Sequence, residues 1–334
     1  MTVPLVGAPL SGGPTTPELV DAVNRAGGLG FLAAGYKTAT AISEQIDVVR
    51  AFGRPFGVNV FAPNPLRVDA DEFAAYAARI APDAARYGVD LGAPQPIEDD
   101  DHWHEKIDLL ASDPVPVVSF TFGLPDAPTI DTLRRAGSLV LLTVTSPDEA
   151  RAAAARGPDG LVVQSSAAGG HSGTLTPRLP VPAVSLPDLV RAVRAATDLP
   201  LVAAGGVGTG ADVAGALAAG AVAVAIGTLL LRTDESGASA THRAALADPA
   251  RTETVVTRAF SGRPARGLRN AFTDAHSNAA PFGYPALHHL TIPMRRAAAA
   301  AGDPERVHLW AGTGFGRTTE GPAAEVVATL ARGL

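Results

Sequence analysis

The sequence predicts a (β/α)8 TIM barrel (class α/β), and three observations predict it. Eight short apolar runs of β-rich composition alternate with Ala-rich amphipathic runs. Helix start and stop signals punctuate the intervals. Glycine-rich loops follow the seventh and eighth apolar runs, where barrels of this kind build a phosphate site. The chain has 334 residues, more than the roughly 250 of a bare barrel, which leaves room for an insertion.

The strand candidates are residues 4–9, 29–34, 56–61, 115–122, 138–144, 160–164, 199–204 and 221–227. Buried strands alternating with helices form a parallel sheet, and eight is the number that closes. Thr16-Pro17-Glu18 opens the first helix with Pro at its first position, and Gly27-Gly28 closes it. Ser146-Pro147-Asp148-Glu149 opens another that Gly157 ends, and Ser185 with Asp188 opens a third. An open doubly wound sheet is the alternative. It would want a G-x-G-x-x-G loop after the first strand, and Ser11-Gly12-Gly13-Pro14 lacks that spacing.

Two segments break the alternation. Residues 63–114 form a long third connection, with helices expected at 69–87 and 102–111. Residues 237–318 are richer in Arg, His, Pro and aromatic residues and read as a small, mostly helical subdomain inserted after strand eight. Residues 1–236 and 319–334 then make the barrel, the last stretch supplying its eighth helix.

Charge and composition narrow the function. The formal net charge is −6, and Arg295-Arg296 is an isolated basic pair, so nucleic acid and anionic membranes are not expected partners. There is no cysteine, which excludes thiolate catalysis, disulfides and Cys-ligated metals; no metal ligand is assigned. The first residues lack the basic and apolar regions of a secretory signal, and a cytoplasmic location is expected. Residues 213–231 are apolar enough to suggest a membrane span. Thr209 with Asp212 as an N-cap and Gly220 as a helix stop instead divide them into a helix and a buried strand.

The candidate site lies at the carboxyl ends of the strands. Gly205-Gly206 ends the seventh strand and Gly227-Thr228 the eighth; their backbone N–H groups and the Thr228 hydroxyl suit a phosphate. Asn59 and Gln164 end strands three and six, where they either bond a planar heterocycle or cap turns. His171, in Ala168-Gly169-Gly170-His171-Ser172-Gly173, has no helical face to pack on, and an imidazole there is placed for proton transfer near neutral pH or for holding an anion.

These residues together resemble the nitronate monooxygenases, formerly nitropropane dioxygenases. The resemblance rests on Gly7-Ala8-Pro9-Leu10-Ser11-Gly12-Gly13, Gly27-Gly28-Leu29-Gly30, Asn59-Val60-Phe61, Gln164 with the Ala168–His171 loop, Ala204-Gly205-Gly206-Val207 and Gly227-Thr228. Later motifs are Ser261-Gly262-Arg263-Pro264-Ala265-Arg266-Gly267 and Leu309-Trp310-Ala311-Gly312. The match implies an FMN enzyme that oxidises alkyl nitronates, and nitroalkanes in some members, with O2 to a carbonyl compound and nitrite. It implies FMN contacts at Ala8, Pro9, Leu10, Asn59, Gln164, Gly169, Gly170 and Ala225, phosphate contacts at Gly205, Gly206, Gly227 and Thr228, and His171 as the catalytic group. A homodimer is a candidate assembly. Many members carry Met at the position of Leu10, Glu at Ala167 and Gln at Ala225, which bears on substrate more than on FMN. A flavin-dependent enoyl-[acyl-carrier-protein] reductase using NAD(P)H shares the Ala-Gly-Gly-His loop and is the alternative. A non-catalytic flavin-binding protein is a second. An inosinate-dehydrogenase type of barrel needs a nucleophilic cysteine and is excluded.

Overall fold

Apolar runs become the staves of a closed barrel in the computed structural model, which describes residues 1–332 and 334. Its strands are β1 (Leu5–Gly7), β2 (Leu29–Ala33), β3 (Gly57–Phe61), β4 (Val117–Thr121), β5 (Leu139–Val144), β6 (Gly160–Gln164), β8 (Leu201–Ala204) and β9 (Ala223–Ile226), with β7 (Gly170–His171) lying outside the barrel. All barrel neighbours pair in parallel, and β9 returns to β1 with Val6 opposite Ala225. The eight expected strands are the eight observed, each within about two residues at its ends.

Helices α1 (Pro17–Arg25), α2 (Ala39–Ala51), α3 (Ala70–Ala85), α4 (Trp103–Ser112), α5 (Ala127–Ala136) and α6 (Pro147–Ala154) fill the first connections. They are followed by α7 (Leu186–Arg194), α8 (Gly210–Ala218), α9 (Ala240–Ala247), α10 (Ala271–His276), α11 (Ala286–Ala300) and α12 (Ala323–Ala331). The caps read from sequence are in place. The Thr16, Ser146 and Ser185 hydroxyls accept from Leu19, Glu149 and Asp188 N–H, and Thr209 with Asp212 forms a capping box. Each such cap contributes roughly 1 kcal/mol. Residues 213–231 divide as expected into α8, β9 and a 3-10 turn, Thr228–Leu230. Among the described residues, no helix is long and apolar enough to cross a membrane.

Two cores organise the molecule. The larger lies between barrel and helices, with Leu32, Val58, Val118, Leu142, Val163 and Val224 fully buried. α12 packs between α1 and α8 and so completes the helical ring. The second core lies outside the barrel. Phe73, Tyr76 and Ile80 of α3 meet Phe260, Phe272, Leu287 and Met294. Each such side chain contributes roughly 1.5–3 kcal/mol on burial. The third connection and the 237–318 segment therefore share one core.

The 237–318 segment contains α9, α10 and α11, but also an antiparallel hairpin of β10 (Thr254–Thr257) and β11 (Ala265–Leu268). This is a correction to the helical expectation. The alternation that signals a strand is hidden in β11 by Arg266 and Gly267. β11 also pairs with β7, placing Ala265 opposite His171 and Arg266 opposite Gly170. The loop after β6 is thus stitched to the segment that follows the barrel.

Candidate active site

A cavity of about 650 Å³ opens at the carboxyl ends of the barrel strands and reaches into the barrel axis. It brings together every site residue read from the sequence. Ala8, Pro9 and Leu10 line it after β1; Asn59 and Gln164 line it from β3 and β6; Gly169, Gly170 and His171 line it from the stitched loop. Gly205, Gly206, Ala225, Gly227 and Thr228 complete it after β8 and at β9.

Gly205 and Gly206 take φ of +111° and +75°, a region costly to any residue with a Cβ. A Cβ on Gly205 would lie 2.6 Å from Ser165 Oγ, and one on Gly206 would lie 2.9 Å from Ala167 Cβ. These glycines are needed first for the close approach of the 165–168 loop. The donors themselves are free: among the described residues, the N–H groups of Gly205, Gly206, Gly227 and Thr228 have no protein acceptor. Thr228 Oγ1 accepts from Gly312 N–H at 2.9 Å, so its own hydrogen remains to be donated. Four N–H groups and one hydroxyl thus converge without partners, a donor set that matches an anion with several oxygens.

The two amides behave differently. Asn59 is 4% exposed and faces Ser119 O, Ser119 Oγ and Thr121 Oγ1 at 3.2, 2.8 and 3.1 Å. A carbonyl cannot donate, so the Asn59 nitrogen points to β4 and its oxygen stays available to the cavity. Gln164 is spent on both ends. Its oxygen accepts from Gly173 N–H at 2.7 Å and its nitrogen donates to His171 O at 3.3 Å. Its main work is pinning the His171 segment, and one N–H hydrogen is left for a ligand.

His171 sits in a strand rather than a free loop. Its Nε2 lies 2.7 Å from Ser261 Oγ, and Ser261 Oγ lies 3.2 Å from Arg263 O. Among the described residues Nδ1 has no protein partner. Phe122, Tyr284 and Trp310 enclose the ring edge-on at 5.8, 5.6 and 5.4 Å. Burial, then the charges of Arg263 and Arg295, push the imidazole down from 6.5 to about 3. It is therefore neutral at physiological pH, which corrects the expectation of an imidazole poised near neutrality.

Several cavity residues were not singled out in the sequence. Tyr36 and Phe122 line the cavity with φ of +66° and +83°. Tyr36 is held by its N–H, which donates to Asp101 Oδ1 at 2.8 Å, and Asp101 pairs with the buried Lys106 at 2.7 Å. Asp101 and His102 also have positive φ, so all four non-glycine residues in that region belong to the cavity wall or to its support. Arg263 is fully buried, stacks 4.2 Å from the centre of the Phe122 ring, and donates to Ser172 O and Thr174 O. Arg295 and His288 of α11 line the cavity as well. No local pattern marks these residues, because each reaches the site from a distant part of the chain.

The family model described as nitronate monooxygenase matches residues 1–333. The chain belongs to the nitronate monooxygenase family. It is 36% identical over 332 residues to a probable nitronate monooxygenase of Staphylococcus aureus strain MSSA476, covering 98% of this chain and 93% of that protein. Nitroalkane oxidase from Streptomyces ansochromogenes superposes with a TM-score of 0.92 at 48% identity, covering 98% of this chain and 94% of that one. FabK from Thermotoga maritima superposes with a TM-score of 0.75 at 26% identity, covering 99% and 92%. The chain is therefore an oxidoreductase of the nitronate monooxygenase family.

The three departures from many members of the nitronate monooxygenase family fall around this cavity. Leu10 Cδ2 lies 3.2 Å from where a Cβ on Gly227 would be, and Ala225 lines the cavity from β9. Ala167 packs beneath Gly206, its carbonyl accepting from Thr313 N–H at 3.0 Å.

Proposed function

We propose that this chain is an FMN-dependent nitronate monooxygenase, oxidising alkyl nitronates with O2 to a carbonyl compound and nitrite. The observation that carries the reading is the convergence of unpartnered donors at Gly205, Gly206, Gly227 and Thr228 on one side of a cavity that His171 enters. A phosphate monoester fits that donor set. Ala8, Pro9 and Leu10 supply an apolar strip for a flat ring, and the Asn59 oxygen and the spare Gln164 hydrogen supply edge contacts. Gly169, Gly170 and Ala225 are proposed as further contacts. Bound FMN would supply electron transfer from the nitronate carbon and reaction with O2.

The remaining work falls to the chain. The imidazole of His171 is neutral and offers Nδ1 to the cavity: in the Nδ1–H tautomer it donates to the nitro group of an anionic substrate, and in the Nε2–H tautomer its free Nδ1 receives the α-proton of a neutral one. Phe122, Tyr284 and Trp310 exclude water around it. The 237–318 segment is proposed as the substrate-side unit, because it contributes His288, Arg295, His308 and Trp310 to the wall.

The test is spectroscopic and then kinetic. The purified protein is expected to be yellow and to release FMN on denaturation. In anaerobic mixing propyl nitronate is expected to bleach the flavin, with nitrite released under air. A colourless protein that takes up no FMN would sink the cofactor assignment. Rapid bleaching by NADPH with no response to the nitronate would move the chain to the enoyl reductase reading.

A further inference from the structure

The cavity wall built by α11 and residues 307–310 holds a cation without a carboxylate. Arg295 is 5% exposed and lines the cavity. Its Nε donates to Thr291 Oγ1 at 3.0 Å, and its terminal nitrogens donate to His308 Nδ1 at 3.1 Å and His288 O at 3.0 Å. Among the described residues no Asp or Glu forms an ion pair with it, although the exposed arginines Arg50 and Arg269 each have two. A buried guanidinium ordinarily recruits a carboxylate, because desolvating an unpaired charge is costly. Here three hydrogen bonds hold the guanidinium in place, and the charge is unpaired.

Nothing adjacent cancels that charge. His288 stacks flat on Tyr36, with centroids 4.1 Å apart and planes at 7°. His308 must be unprotonated at Nδ1 to accept the Arg295 bond. Burial, followed by Arg295 itself, holds His288 and His308 well below their usual range. Arg296 beside it is positive as well, and the Asp101 carboxylate behind Tyr36 is taken up by Lys106. Burial lowers Arg295 only to about 10, so it stays charged at neutral pH.

We propose that Arg295 is the specificity-determining residue of the cavity: an uncompensated guanidinium that admits a small planar oxyanion, the nitronate, ahead of the neutral nitro compound from which it forms. This rests on the nitronate reading above. A fixed positive charge in a poorly hydrated cavity stabilises an anion and leaves its neutral conjugate acid almost unaffected. It also explains why a catalytic histidine can be kept neutral. The substrate arrives already deprotonated, and the positive field that holds it is supplied by a group that does not titrate near neutrality.

The experiment uses the flavin-loaded protein and nitrate, an inert planar oxyanion, as the probe. Nitrate binding is measured by calorimetry and by competitive inhibition of propyl nitronate turnover. Arg295→Met is expected to weaken nitrate by about tenfold or more and to raise KM for the nitronate by a similar factor. Arg295→Lys keeps the charge but cannot reproduce the three hydrogen bonds, and is expected to retain nitrate affinity within about threefold. A structural role alone would make the two variants fail together. Should Arg295→Met not fold, Arg295→Gln, neutral but hydrogen-bonding, carries the same comparison. Equal nitrate binding by wild type and the neutral variants overturns the proposal, as does loss of binding in Arg295→Lys equal to that in the neutral variant. Arg295-dependent nitrate binding in a protein that does not oxidise nitronates would leave anion selection standing and remove the nitronate reading instead.

Discussion

The two sides of the cavity are made of different material. The side at the ends of β8 and β9 is backbone, with unpartnered N–H groups of Gly205, Gly206, Gly227 and Thr228 set within a few residues of a barrel strand. The rest of the wall is made of side chains, with Tyr36, Phe122, His288, Arg295 and Trp310 drawn from four separate parts of the chain. The first is geometry that a barrel produces locally and that any phosphate could use. The second is long-range packing, holds buried cations, and carries the positive-φ residues Tyr36 and Phe122. A general cofactor handle can be local. Discrimination among substrates has to be assembled.

The largest expected effect separates the roles across that divide. His171→Asn removes the base but keeps a polar group, and is predicted to cost about 10²–10⁴-fold on a neutral nitroalkane, if the wild type turns one over. The loss on the nitronate should be much smaller, and flavin content should be unchanged. Steady-state kinetics on both forms of one nitro compound checks this; equal losses would mean that His171 is not a base. The next effect breaks the backbone side. Gly206→Asp puts a carboxylate among the free donors, so bound flavin should fall sharply. It also forces a Cβ into φ +75° and to 2.9 Å from Ala167 Cβ, so the melting temperature should fall as well. The left-handed conformation alone costs roughly 1–2 kcal/mol. Flavin-to-protein ratio and a thermal melt read the two losses separately, and full flavin occupancy would take Gly206 out of the phosphate site.

The smallest effect is on pH dependence and belongs to the side-chain wall. Burial is the leading cause that lowers His171 to about 3 and His242 to about 4, and it takes His288 and His308 well below 6.5. All four folded values lie below the unfolded one. Below pH 6.5 the unfolded chain therefore binds protons that the folded chain refuses, and the stability present above that pH is lost as pH falls. The melting temperature is expected to be level from about pH 7 to 9 and to decline steadily from about 6.5 to 4. A level profile across the acid range would show that these histidines are not buried in neutral form.

The same divide governs what could be read in advance. The strands, the caps at Thr16, Ser146, Ser185 and Thr209, and the glycine loops are signals within about ten residues, and they were legible. So was His171, through its glycine frame. The two-residue strand that holds it was not, since β7 exists only because β11 offers it a partner nearly a hundred residues later. Arg295 carried a misleading signal. Beside Arg296 it read only as an isolated basic pair, whereas α11 turns Arg295 into the cavity wall, 5% exposed. Arg263 appeared within a family motif without a role, because its partners Phe122, Ser172 and Thr174 are distant in sequence. Asp101 and Lys106 carry no signal in the sequence, and only the fold shows them holding Tyr36 in place.

The pairing of β7 with β11 also bears on how the enzyme comes into being on the ribosome. His171 leaves the exit tunnel long before Ala265, its opposite number in the ladder. Until the hairpin has emerged, the nascent chain can own the barrel staves and both glycine loops, but the histidine has no strand to lie in and no Ser261 to meet. The strand around His171 therefore forms only after residues 265–266 have been made.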